Sequence, residues 1–257
     1  MESVAKEFRY LTKPSMTRPM HLKDTRLLSS TIIHLLLGPL DAIDQIQELL
    51  CLRQAAAITE RPVLIWEPAP LSCLPENLDV CLQAAKLVDI FSPNHLELAS
   101  FFGVETPQRF DRNIFKDLAS KCLANGIGPH NSGTVVVRAG EEGCCIYSRR
   151  QKHMVWLPAY YGRSDAALSA PSGKIVDPTG CGNAFLGAYA VGLLETQDDT
   201  QAAYYGTVAS SFALEQIGPP KKRIHPDGEE LWNDVSVSSR LEEFIARVDC
   251  GVTMLEP

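Results

Sequence analysis

The sequence predicts an α/β protein built on a mostly parallel sheet with helices on both faces. Two observations carry that prediction. Short apolar runs of strand length, rich in β-branched residues, alternate with helix-length amphipathic patterns, and strands joined through helices form right-handed βαβ units. Glycine or proline stands at most of the junctions and fixes where each run stops.

In chain order, residues 1–26 are polar and carry Pro14 and Pro19, so an extended lead-in is expected. Residues 30–37 (STIIHLLL) read as a buried strand stopped by Gly38-Pro39, with His34 as a hydrogen-bonded core histidine. A helix follows over 41–56, with Ile43, Ile46, Leu49 and Leu50 at helical spacing and Asp41 placed to cap it. Residues 62–68 (PVLIWEP) form the next strand, 74–88 a helix and 89–94 a third strand. A helix opens at His95 and ends at Gly103, and another covers 111–126 with a glycine stop. Strands over 133–140 and 141–150 flank the turn Gly140 to Gly143, and 153–160 adds one more. Beyond a stretch rich in Ala, Ser and Gly lies VDPTGCGNAF (176–185), leading into helices over 184–195 and 200–218. Lys221-Lys222-Arg223 reads as a solvated turn, and a last helix spans 238–249.

The 257 residues are 45% hydrophobic and 21% charged, enough for one sizeable core. A net charge of −7 with one short basic run argues against nucleic acid as a direct partner. The eight cysteines form no CxxC pair and the histidines no zinc-site spacing. Reduced thiols and a cytoplasmic location are expected. The N-terminal MESVAKEFRY lacks the apolar centre of a signal peptide, and the most apolar run, 27–40, is too short for a bilayer, so no membrane partner is expected. Walker, GxGxxG and GxSxG signatures are absent.

Gly180 and Gly182 allow positive φ and close approach of a ligand to the backbone. The amides of Gly180, Cys181, Gly182 and Asn183 are then expected to converge at the N-terminus of a helix starting at Ala184, where the helix dipole favours a phosphate oxygen. Such a loop lies where α/β sheets bind ligands, beyond the C-terminal strand ends. Taken alone it reads equally well as a tight turn. Cys181 either has its pKa lowered by the helix terminus or simply packs.

Three segments in order carry a resemblance. VDPTGCGNAFLGAYAVGLLE resembles the C-terminal signature of the PfkB, or ribokinase-like, carbohydrate kinases, whose usual form is Asp-Thr-x-Gly-Ala-Gly-Asp before a small-residue helix. FSPNHLEL resembles that family's Asn-x-x-Glu segment through Asn94 and Glu97, and VVVRAGEEGCCIY resembles its nucleotide-side strand–turn–strand. The Asp-Pro-Thr-Gly-x-Gly-Asn form, with FRYLT near the start and EQIGPP near the end, resembles in particular a fungal subgroup of maintenance-of-killer type.

The resemblance implies a ribokinase-like three-layer α/β/α sandwich and ATP-dependent phosphoryl transfer to a sugar or nucleoside hydroxyl, with ATP and Mg²⁺ as cofactors. Gly180, Cys181, Gly182 and Asn183 would line the anion hole, and Asp177 and Thr179 in the same loop would bind the cofactor. Asn94 and Glu97 would organise Mg²⁺ through water, or else serve as a helix cap and a solvated carboxylate. Arg138, Gly140 and Gly143 fall on the nucleotide-side turn, Arg138 in place of the usual Thr. Ala209 and Phe212 would border the adenine or belong to the core.

Two departures bear on activity. Asn183 stands where active members carry an Asp that takes the hydroxyl proton, and losing a general base costs about 10²–10⁴-fold in rate. Slow transfer, or a pseudokinase that only binds nucleotide, are the two expectations. Secondly, no Gly-Gly pair occurs, and neither does an early run of alternating strands for a β-lid. A single partial domain over 1–257 is expected, N-terminally truncated, with its core over 27–220 and a tail and helix over 221–257. The exposed sheet edge would favour a homo-oligomer or a partner protein.

Overall fold

The computed structural model describes residues 17–106, 109–150, 152–162 and 174–253; FRYLT lies outside them. Six strands form one sheet in sequential order: β1 (Ile32–Leu37), β2 (Val63–Pro68), β3 (Ile90–Phe91), β4 (Thr134–Arg138), β5 (Cys144–Ser148) and β6 (His153–Leu157). β1 to β4 are parallel, and β4 to β6 run antiparallel through two hairpin pairings.

Parallel strands need helical crossovers, and the sequence supplies them. These are α1 (Pro39–Ala55), α2 (Leu78–Ala85), α3 (His95–Phe101) and α4 (Arg112–Asn125). Gly103 (φ 62°) follows α3 and Gly126 (φ 104°) caps α4, so both expected glycine stops are used. Alternate strand residues feed two cores. Leu64, Trp66, Val135, Val137 and Cys145 pack with α1 to α4, whereas Ile65, Val136, Cys144 and Ile146 pack under α5 (Cys181–Thr196), α6 (Asp199–Leu214) and α7 (Val237–Thr253). Strands covered on both faces read as continuous apolar runs.

The α5–α6 pair is tightly joined to the sheet. A Cβ at Gly206 would come within 2.9 Å of the Phe185 ring, and one at Gly192 within 2.8 Å of the Tyr205 ring. Asp198 caps α6 through the amides of Thr200 and Gln201. The next residue, Asp199, is fully buried. Its Oδ1 accepts from Tyr189 Oη on α5 (2.8 Å), and its Oδ2 accepts from Ser148 Oγ (2.7 Å), Thr134 Oγ1 (3.0 Å) and Arg150 Nη2 (3.0 Å).

Four local expectations are corrected. Residues 19–22 and 26–29 are 3₁₀ turns rather than extended chain, the first with Pro19 at a position where its missing N–H costs nothing. α1 is opened by Gly38 and Pro39, and Asp41 sits inside its first turn instead of capping it. His34 lies on edge strand β1 with a side chain 27% exposed, so it is no core residue. Residues 222–236 form a small antiparallel sheet, β7 (Lys222–Ile224), β8 (Glu230–Trp232) and β9 (Val235–Ser236). Its cross-strand ion pair Lys222–Glu230, and Arg223 to Asp234, stand in for the apolar alternation by which strands are usually read. Among the described residues no helix is long and apolar enough to cross a membrane.

Candidate functional site

Because β2, β3 and β4 run in one direction, the residues that follow their apolar cores emerge at one end of the sheet. There Glu67, Asn94 and Arg138 meet, with Asn94 and Arg138 linked by a parallel bridge. Asn94 caps α3 and Glu97 closes a capping box: Asn94 Oδ1 accepts from the Glu97 amide (2.9 Å), and Glu97 Oε2 accepts from the Asn94 amide (2.7 Å). Asn94 Nδ2 also donates to Glu97 Oε1 (2.6 Å). Glu97 is therefore a buried capping carboxylate, not a solvated one. Burial raises its pKa above the ordinary value, further than the Asn94 amide and Arg138 pull it down.

Arg138 lies between two carboxylates. Its Nη2 is 2.8 Å from Glu67 Oε1 and 3.8 Å from Glu97 Oε2, and it donates to the Ser92 carbonyl (3.0 Å). Glu67 Oε2 is held by His34 Nε2 at 3.2 Å. Burial alone would raise the Glu67 carboxyl, but the His34 hydrogen bond and the Arg138 charge outweigh it and hold the group below its usual value. Neither Glu67 nor His34 was expected at the site. The available signal was the glutamate at the end of an otherwise apolar strand, since charge there is normally matched by a partner.

The glycine loop faces this cluster. Asp177 Oδ1 accepts from the Thr179 amide (2.9 Å), which stiffens the loop and lowers the Asp177 pKa. The Cys181 amide donates to the Pro178 carbonyl (3.2 Å), and Gly180 has φ 85° and ψ −8°, values suited to the third residue of a type II turn. Two expectations change here. α5 starts at Cys181, not Ala184, and the Cys181 amide is spent on that turn. Among the described residues the Gly182 and Asn183 amides, at the second and third helical positions, have no backbone acceptor. Gly182 itself is helical, and a Cβ there would have to displace the Arg138 guanidinium, whose Nη1 occupies that space. The Cys181 thiol is half-buried and clasped to Ser210 on α6. Burial, then the Asp177 charge, raises its pKa, against the lowered value a helix terminus would give.

Between these elements and α6 lies a cavity of about 530 Å³. Asn94, Arg138, Gly140, Gly143, Cys181 and Gly182 line it, opposite an apolar wall that includes Tyr160, Tyr161, Phe185 and Leu214. Gly143 (φ 92°) has no room for a side chain, since a Cβ would overlap the Leu157 carbonyl. Asn183 is exposed at the start of α5, and neither it nor Asp177, Thr179 or Gly180 is among the lining residues. Ala209 and Phe212 do not line it either. Phe212 is buried beneath the Arg240 guanidinium, 3.7 Å from the ring centre, and Thr207, Ser210 and Leu214 take the α6 wall.

A brace from the C-terminal segment supports that wall. Glu215 accepts from Tyr161 Oη (2.5 Å), Arg240 Nη1 (2.9 Å) and Asn233 Nδ2 (3.0 Å), and Asn233 also donates to the Phe212 carbonyl (3.1 Å).

The cavity has room for a nucleotide: its volume lies in the range of small-molecule sites, about 300–1,000 Å³, with an apolar wall on one side and the Gly182 amide and a guanidinium on the other. The donor set does not fit a Mg²⁺ ion held by the protein. Both Glu97 oxygens already accept from Asn94, Arg138 stands beside them, and no group of three metal-binding side chains occurs among the described residues.

The chain is similar to known proteins in sequence and in fold. The chain is 33% identical over 241 residues to an uncharacterized protein of Schizosaccharomyces pombe, covering 92% of this chain and 65% of that one. It is 27% identical over 220 residues to the protein MAK32 of Saccharomyces cerevisiae, covering 83% and 56%. It thus spans under two thirds of the length of either relative. A ribokinase from Giardia lamblia matches with a TM-score of 0.55 at 19% identity, over 78% of this chain and 60% of that one. Arabidopsis thaliana ribokinase complexed with ribose and ATP matches at 0.51 and 19%, over 75% and 53%. These likenesses show a ribokinase-like α/β fold. With the model of the pfkB family carbohydrate kinases matching residues 49–222, the chain belongs to that family.

Proposed function

We propose that the chain binds ATP in the cavity between the strand ends and α5–α6, and transfers its γ-phosphate slowly to a sugar or nucleoside hydroxyl. The observation that carries this reading is the convergence of Arg138, Asn94 and the glycine loop on one wall of a nucleotide-sized cavity. The base would rest against Tyr160, Tyr161 and Leu214, and the phosphates would point toward Gly182. Phosphoryl transfer relies mainly on positioning and on stabilising charge at the equatorial oxygens, which the Gly182 and Asn183 amides and the α5 dipole supply. Proton removal is the weak step, because the Asn183 amide has no basic atom near neutral pH.

A second reading, a pseudokinase that binds nucleotide without transferring phosphate, is favoured by that same amide. Calorimetry with ATP, run beside a γ-phosphate transfer assay over sugars and nucleosides, separates the two. In the kinase reading Asn183→Asp raises transfer about 10²–10⁴-fold with ATP affinity unchanged. Binding with no transfer from either protein selects the pseudokinase, and failure to bind ATP removes both.

A further inference from the structure

We infer that Arg138 is this site's own phosphate-binding cation and that it makes nucleotide affinity independent of Mg²⁺. The inference deepens the proposed nucleotide site and rests on that reading.

The guanidinium is held from behind. Nη2 is committed to Glu67 and to the Ser92 carbonyl, and Glu67 is in turn pinned by His34. Those bonds leave the other edge of the fork turned toward the glycine loop, with Nη1 pressed against the face of Gly182. Among the described residues no hydrogen bond ends on Nη1, and Nε is buried without an acceptor. Nη1, with its two N–H groups, thus remains without an acceptor close to Gly182, at the start of a sixteen-residue helix, whereas Nε is buried out of a ligand's reach. Arginine presents such donors in a fixed geometry that matches phosphate oxygens, and partial burial (12% side-chain exposure) strengthens the attraction. Of the described residues lining the cavity, Arg138 is also the one Lys or Arg.

Charge balance points the same way. A divalent ion serves a bound triphosphate by neutralising it and tying it to carboxylates on the protein. Here Glu67 is matched by Arg138 and His34, and Glu97 by the Asn94 N–H groups. An ion drawn to either carboxylate would meet the guanidinium first. Part of the positive charge that a metal would bring is supplied by the guanidinium on β4, which Glu67 holds in place.

The test is calorimetric titration of ATP into the whole chain, once in EDTA and once in excess MgCl₂. The dissociation constant is expected to be the same in both. Arg138→Thr, which restores the residue usual in the family, is expected to weaken binding about 10- to 100-fold in EDTA, the loss of one or two charge-assisted hydrogen bonds. Added Mg²⁺ should recover part of that loss. Inorganic tripolyphosphate in EDTA should bind the wild-type chain and not the Thr variant. Because Arg138 is half of an ion pair, Arg138→Lys serves if the Thr variant does not fold: it keeps the charge beside Glu67, loses the fork, and should weaken binding in EDTA. ATP binding by the wild type only when Mg²⁺ is present overturns the inference and leaves the nucleotide site standing. Wild-type affinity in EDTA for whichever variant folds also overturns it. No ATP binding under either condition overturns the nucleotide site, and this inference with it.

Discussion

Replacing Asp199 by alanine should unpick the joint that holds the α5–α6 pair to the sheet. Its carboxylate accepts four hydrogen bonds from α5, β4, β5 and Arg150. The losses are unequal. Thr134 and Ser148, 3.1 Å apart, can turn a released proton to one another, and Arg150, with a side chain 48% exposed, can turn its charge to water. Tyr189 cannot: it is fully buried, and an unsatisfied buried hydroxyl costs about 1–3 kcal/mol. Adding the lost charge-assisted bonds gives a total of about 3–5 kcal/mol, the usual range for breaking a buried charged cluster. For a chain of this length that is a fall of about 10 °C in Tm. Thermal and urea unfolding measure it, and a double-mutant cycle with Tyr189→Phe isolates the key bond. The two changes should couple, the double variant being more stable than the sum predicts by about 1–2 kcal/mol. A loss below about 1 kcal/mol for Asp199→Ala, or strict additivity in the cycle, would refute the assignment of Asp199 as the joint.

Two further outcomes follow from the site. Glu67 has its pKa depressed in the folded state, so its contribution to stability is present above the ordinary value of 4.5 and is lost as pH falls through the folded value. The stability gap between wild type and Glu67→Gln, read from urea midpoints, should therefore be widest near neutrality and close under acid; a gap that widens under acid would reverse the sign. For the thiols, mass-spectrometric alkylation should find Cys51 and Cys250 fast, being exposed, and Cys181 slower. Cys73, Cys122, Cys144 and Cys145, pushed by burial to about 12, should react only on unfolding. ATP should slow Cys181 further if it fills the cavity that this residue lines.

The strands and helices of the sheet were readable because each carries its own apolar period, and buried parallel strands advertise themselves as unbroken runs. VVV at 135–137 shows why one step was not readable: the middle valine and its neighbours face different cores, yet all three look alike in sequence. β7 to β9 escaped notice because β7 is wholly exposed and the strands carry charge rather than an apolar face. At the site, the glycine loop and Asn94–Glu97 were legible because spacing fixes a turn and a cap. Arg138, Glu67 and His34 were legible only as separate residues. Their meeting depends on the register of three strands, which no local pattern encodes. Cys181 shows the same limit, since its burial against α6 outweighs the helix terminus that sequence does reveal.

The Glu215 brace makes motif boundaries a poor guide to what shapes the cavity. The family match stops at residue 222, whereas Asn233 and Arg240, which fasten the end of α6 and align Tyr161, come later in the chain. A protein trimmed to its recognisable portion would retain every signature residue and still surrender the support behind the Tyr161 wall of the cavity. The shape of the cavity is thus partly written in a stretch that carries no signature of its own.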